Sequence, residues 1–202
     1  MRIPFGAIGI LVPAALTAQT TSTFYARGGA TWSSKLTQDQ IVNDQISTEP
    51  AVAVTLVAGG GVEAFPRYLV DLELQFTTGS YSAKPEGQES TKLGTLRTLS
   101  GTVGLNGPLI YPHWRWRASV GVLSYLPKEK EGMFLQGGPL DFLIGAGVDY
   151  RRPVSGSLDL MVSLRYDFHR FTTDELQAQG FSQSQQVHRL GLTVGVATGG
   201  RP

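Results

Sequence analysis

The 202-residue sequence contains no cysteine, so neither a disulfide framework nor a thiolate metal centre is open to it. After Leu16 no apolar run approaches the roughly 20 residues of a membrane helix. Excess charge is also missing: 17 basic side chains meet 16 acidic ones, and Arg2, in the leader, accounts for the difference. A balanced chain lacks the basic surface that a nucleic-acid binder uses to displace counterions, and it lacks a polybasic membrane-surface patch. Histidine is scarce, and His113, His169 and His188 stand too far apart in sequence for a metal-ligand motif. No cofactor motif is present. Gly59, Gly60 and Gly61 have neither the lysine nor the following helix of a phosphate loop, and packed strand glycines are the ordinary reading.

What is there begins with MRIPFGAIGILVPAALTAQ. A basic Arg2, an apolar stretch from Ile3 to Leu16 and small residues around Thr17 and Ala18 predict an export signal over 1–18, cut after Ala18, and a single domain over 19–202. A chain that enters a membrane without a spanning helix must do so as a closed sheet, because lipid satisfies no backbone polar group.

Period-two alternation then recurs eight times, at 23–32, 52–65, 69–77, 93–106, 114–125, 140–150, 157–170 and 187–196. The third segment is the sharpest, with Val70, Leu72, Leu74 and Phe76 opposing Asp71, Glu73, Gln75 and Thr77. Connections alternate in length. SSKLTQDQIVNDQISTEP, TGSYSAKPEGQESTK, PKEKEGMFLQGG and RFTTDELQAQGFSQSQQ are long and polar; FPRY, GPLIYPH and RRPVSG are short. Short turns on one side and long loops on the other predict an all-β, eight-stranded antiparallel up-and-down barrel, whose even strand count leaves no free edge.

Alternation alone fits a soluble, lipocalin-like carrier of a lipophilic ligand as well as a transmembrane barrel. Three features favour the membrane. The five lysines, Lys35, Lys84, Lys92, Lys128 and Lys130, fall in the long connections, whereas strand charges are Arg, Asp and Glu, the set suited to a buried polar interior. Arg27, Arg115, Arg117, Arg165 and Arg189 are expected to face Glu63, Asp71, Glu73, Asp141, Asp149, Asp159 and Asp167 across a narrow lumen. On the apolar face, Phe24, Trp114, Trp116 and Tyr150 mark one end and Trp32, Phe76, Tyr166 and Phe168 the other, as two aromatic girdles around an aliphatic belt. The export signal supplies the compartment. Arg97 and His188 share the parity of the apolar residues, so either they reach past the lipid to headgroups or a bulge flips the strand.

With eight strands, long outer loops and a charged interior from Thr23 to Val196, the chain resembles the small outer-membrane barrels related to the OmpA transmembrane domain and OmpX. Arg189, Gly191, Val194 and Val196 are similar to the signal that barrel assembly machinery reads in a last strand, although ATGGRP follows in place of a terminal aromatic. The resemblance implies a monomer at the cell surface, in contact with outer-membrane lipid and lipopolysaccharide, with a structural or surface-interaction role and loops open to an external ligand. The alternative is a lipid A-modifying hydrolase. Such barrels carry a His-x-Ser pair, which none of the three histidines provides here. Asp167 and His169, two residues apart on one strand face, are the best acid–base pair, with Ser163 as a nearby hydroxyl.

Overall fold

The computed structural model describes residues 22–41, 44–85, 89–111, 113–126, 140–172 and 185–199. The expected export signal and its cut after Ala18 lie outside the described residues, as do Lys128, Lys130 and the bulk of two long connections. Among the described residues the strands are β1 (Ser22–Ser33), β2 (Thr37–Ile41), β3 (Asp44–Pro50), β4 (Ala53–Phe65) and β5 (Tyr68–Pro85), followed by β6 (Thr91–Pro108), β7 (Trp114–Tyr125), β8 (Leu140–Ser155), β9 (Leu158–Phe171) and β10 (Gln185–Gly199). All pairings are antiparallel.

Around the ring the order is β1, β4, β5, β6, β7, β8, β9, β10, and β10 pairs back onto β1 from Thr23↔Gly199 to Ser33↔Arg189. Eight strands therefore close an up-and-down barrel, and closure removes the unpaired edges that an open sheet would expose. The remaining two strands were not legible as such. SSKLTQDQIVNDQISTEP, expected to be a connection, contains the β2–β3 hairpin, and β3 extends the wall by pairing with the far end of β5 from Ile46↔Pro85 to Pro50↔Tyr81. That stretch is polar on both faces, so it has no apolar alternation to signal a strand. Lys84 and Lys92, expected in a connection, accordingly lie on the extended ends of β5 and β6.

The short connections form one end of the barrel, the turn end. Pro66 and Arg67 join β4 to β5, with Arg67 at φ 73°. Pro followed by a residue of positive φ is the central pair of a type II turn, and the Arg67 amide donates to Glu63 Oε1 at 2.6 Å. Gly156, at φ 48°, opens the two-residue turn between β8 and β9. β8 runs on through Ser155, so most of RRPVSG is strand rather than connection.

The alternation resolves into two faces of opposite character. Leu72, Val120, Leu164 and Val194 point outward with 57, 52, 48 and 50% of their surface exposed, while Asp71 and Arg189 point inward with 4% each. This contiguous apolar exterior around a charged lumen is the reverse of a soluble barrel, which buries its aliphatic face.

Candidate functional site

The middle of the lumen holds a charge network centred on Glu73 of β5. Its carboxylate accepts from Arg27 of β1, from Arg117 Nη1 of β7 at 2.7 Å and from Arg165 Nη1 of β9. Tyr25 adds its hydroxyl to Glu73 Oε2 at 2.9 Å and receives Arg117 Nη1 at 2.9 Å, and its ring lies 4.9 Å beneath the Arg27 guanidinium. Asp71 Oδ2 is 3.0 Å from Arg117 Nη1, Asp167 Oδ1 accepts from Arg165 Nε at 2.9 Å, and Asp149 Oδ1 lies 3.8 Å from Arg27 Nη1. Arg27, Arg117, Arg165 and Arg189 thus share the lumen with Asp71, Glu73, Asp149 and Asp167, none of them more than 7% exposed. Buried charge persists only where opposite signs and hydrogen bonds offset lost hydration, and here the two signs balance.

The other expected lumen charges stand apart from this band. Glu63 is bound to the turn, through the Arg67 amide. Arg115, also at the turn end, donates to Asn106 Oδ1 and, at 2.7 Å, to the Arg67 carbonyl; Asn106 passes the link to Asp149 Oδ2 at 3.0 Å. Asp159 and Asp141 lie at opposite ends of the barrel, half-buried and outside any ion pair among the described residues. Position along the axis is the reason: parity places a side chain inside, and its height decides which residues it meets there.

Several interior residues were expected only as part of the polar face and not as members of the network. Tyr25 and Asn106 are network members, Thr31 and Thr55 share a hydrogen bond at 2.6 Å, and Arg189 donates to Thr77 and Thr98 at 3.0 and 3.2 Å. Tyr25, Thr31, Thr55 and Thr77 have the inward parity of the charges on their own strands, which is the signal that could have found them; on β6, where Arg97 faces outward, the signal is opposition to Leu99 and Leu105. The same parity identifies an apolar plug at the loop end, where Leu36, Tyr81, Leu96, Leu123, Tyr125, Leu143, Phe171 and Val187 pack together inside the wall. Above the charges, apolar packing takes the place of a continuous polar path.

That plug removes the acid–base pair expected of Asp167 and His169. His169 is 1% exposed, and its Nε2 meets the Tyr125 hydroxyl at 2.7 Å. Asp167 is held by Arg165 instead, and Ser163 does not join either of them. Neighbouring inward positions on a strand are separated by two residues, so each side chain takes the partner that its own level of the lumen provides.

Outside the wall, Trp114 and Tyr150 form a cross-strand pair with centroids 5.2 Å apart, and Trp116 packs edge-on against Tyr68 at 6.4 Å, all at the turn end; Phe24 lies at the same end on the opposite side of the ring. Trp32, Phe76, Tyr166 and Phe168 occupy outward positions toward the loop end, and Phe142 joins them. Arg97 and His188 are exposed on the outward face. The bulge in this region lies beyond Arg97, where the β5–β6 register shifts between Tyr81 and Ser82, and it leaves the parity from Arg97 to Leu105 unchanged.

At the level of sequence, neither a family model nor a curated relative matches the chain. Solved structures do. Ail, the attachment invasion locus protein of Yersinia pestis, in complex with the heparin analogue sucrose octasulfate, superposes with a TM-score of 0.53 at 13% identity, over 87% of this chain and 98% of Ail. The outer membrane protein OprG from Pseudomonas aeruginosa gives 0.53 at 11% identity, over 91 and 98%. The outer membrane protein AlkL gives 0.50 at 14% identity, over 100 and 98%. The chain has the fold of a small outer-membrane β-barrel. At these identities the likeness is one of architecture, with the fold shared where residue identities are not.

Proposed function

We propose that the protein is an integral outer-membrane barrel, exported through its N-terminal signal, whose role is structural or in surface interaction rather than catalytic. The observation that carries this reading is the inverted arrangement of the two faces, with Leu72, Leu164 and Val194 outside and Arg27, Glu73 and Arg165 inside. An exterior of that kind is stable against hydrocarbon and unstable against water. The loop end then faces the cell exterior, the turn end the periplasm, and the barrel holds its long connections above the membrane as a monomeric, closed cylinder. The apolar plug and the neutralised band support a scaffold and disfavour a diffusion pore. Lipid and lipopolysaccharide surround it, the loops meet any external ligand, and assembly machinery engages β10 through Arg189, Gly191, Val194 and Val196.

Cell fractionation tests the reading directly. The protein is expected to sediment with outer membranes through carbonate washing and to migrate differently on gels before and after boiling. Release by carbonate, with one mobility at both temperatures, would overturn it.

A further inference from the structure

Charge is sorted between the two faces of the wall. Among the described residues of the eight ring strands, the carboxylates share the inward parity, whereas the outward charged positions are cationic: Lys84 and Lys92 on the far ends of β5 and β6, and Arg97, Arg152, Arg170 and His188 along the wall. Arg152 is at the turn end. Arg97, Arg170 and His188 stand at the loop end, each beside or one step beyond an outward aromatic: Arg97 pairs with Thr78, two residues past Phe76; His188 pairs with Phe168; and Arg170 follows Phe168 by two. No carboxylate among the described residues pairs with Arg97 or Arg170.

The seam between β9 and β10 carries the hydrogen bonds and ring contacts. His188 Nδ1 meets the Tyr166 hydroxyl at 2.5 Å, and the imidazole lies 5.4 Å from the Phe168 ring. The His188 backbone is tied to Ser34, the residue after β1, its amide donating to Ser34 Oγ at 3.0 Å and its carbonyl accepting from Ser34 N at 2.8 Å. With Nδ1 engaged, Nε2 is the nitrogen left for an outside partner. Arg170 pairs with Gln186, which makes it the diagonal neighbour of His188 on the same face, about 7–8 Å away between backbones. An arginine arm spans that gap easily, and its planar fork matches the oxygens of a phosphate.

We propose that Tyr166, Arg170 and His188 form a binding site for the phosphate of an anionic lipid headgroup in the external leaflet, with the lipid's acyl chains lying on Leu164, Leu190 and Leu192. Charge complementarity selects this occupant: the site is cationic, lacks an internal carboxylate and sits where the hydrocarbon belt gives way to headgroups. The proposal rests on the membrane reading above and adds to it a named headgroup contact.

Native mass spectrometry of the folded protein in detergent, with added diphosphorylated lipid A and its dephosphorylated form, provides the test. Wild type is expected to retain the phosphorylated lipid about tenfold better than the dephosphorylated one. Arg170→Gln/His188→Gln is expected to lose that preference, while Arg152→Gln, at the opposite rim, keeps it. Competition by inorganic phosphate without lipid retention would mark a free-anion site and overturn the assignment to lipid. Equal retention of both lipids by wild type, or an unchanged preference in the double variant, would overturn it too. If the double variant does not fold, Arg170→Gln alone supplies the same readout, because that side chain is exposed and outside the lumen. Heat-dependent gel mobility, measured on every sample, separates failure of this site from failure of the membrane reading.

Discussion

Arg165 and Glu73 form an ion pair across the full width of the lumen, from β9 to β5, strands that stand opposite one another in the ring. Glu73 also serves Arg27 and Arg117, which stand opposite each other on β1 and β7. One carboxylate therefore ties together four strands that share no backbone ladder along most of the circumference. Glu73→Gln leaves three buried guanidiniums around a neutral group and is expected to cost about 3–5 kcal/mol, read as a lowered urea midpoint for the gel-mobility transition in lipid vesicles. Glu73→Gln/Arg27→Gln should recover part of that loss by removing the guanidinium whose other carboxylate, Asp149 Oδ1, stands 3.8 Å away. A midpoint unchanged in Glu73→Gln would show that the band adds nothing to stability.

Leu72 lies midway along the outward face of β5, between Tyr68 and Phe76, and is 57% exposed. Leu72→Arg is expected to destabilise the bilayer-inserted state by about 2–4 kcal/mol, whereas Leu93→Arg, beyond Arg97 on β6, should have little effect. Refolding yield into vesicles, scored by heat-dependent mobility, distinguishes the two. Equal yields would contradict the outward hydrocarbon contact.

The two tight turns predict opposite responses to substitution. Arg67, at φ 73°, occupies the left-handed region that favours glycine, so Arg67→Gly should gain about 1 kcal/mol. Gly156, at φ 48°, has open space around a new Cβ, with nothing within 4 Å, so Gly156→Ala should lose about 1 kcal/mol through backbone strain alone. Unfolding midpoints in detergent and urea measure both.

Gly59 and Gly28 separate packing from conformation. A Cβ at Gly59 would stand 2.5 Å from the Tyr25 ring and 2.7 Å from the Leu72 carbonyl oxygen, whereas one at Gly28 meets Leu56 at 3.6 Å, an ordinary contact. Gly59→Ala is expected to cost about 1–3 kcal/mol by displacing the tyrosine that braces Glu73 and Arg117, while Gly28→Ala stays near wild type. Tryptophan-monitored unfolding compares them, and equal midpoints would refute the tight fit at Tyr25.

Much of this architecture is legible in the linear chain. Alternation in 69–77 and 157–170 marks strands and assigns Asp71, Glu73, Arg165 and Asp167 to one face, because a pleated strand turns successive side chains to opposite sides whatever its neighbours are. The hairpin β2–β3 was hidden because polar residues on both faces erase that period. The apolar plug was hidden differently: Leu123, Leu143, Phe171 and Val187 share the parity of the charges, and parity says nothing about height along the axis.

By itself, then, the order of residues determined which side chains share a face and where the chain must turn, since both follow from geometry within a few bonds. Only ring closure and register decided that Glu73 gathers Arg27, Arg117 and Arg165, that His169 faces Tyr125 rather than Asp167, and that Arg170 stands diagonal to His188. Those partners come from different strands, and their meeting is set by strand stagger around a closed wall, a quantity that no local pattern contains.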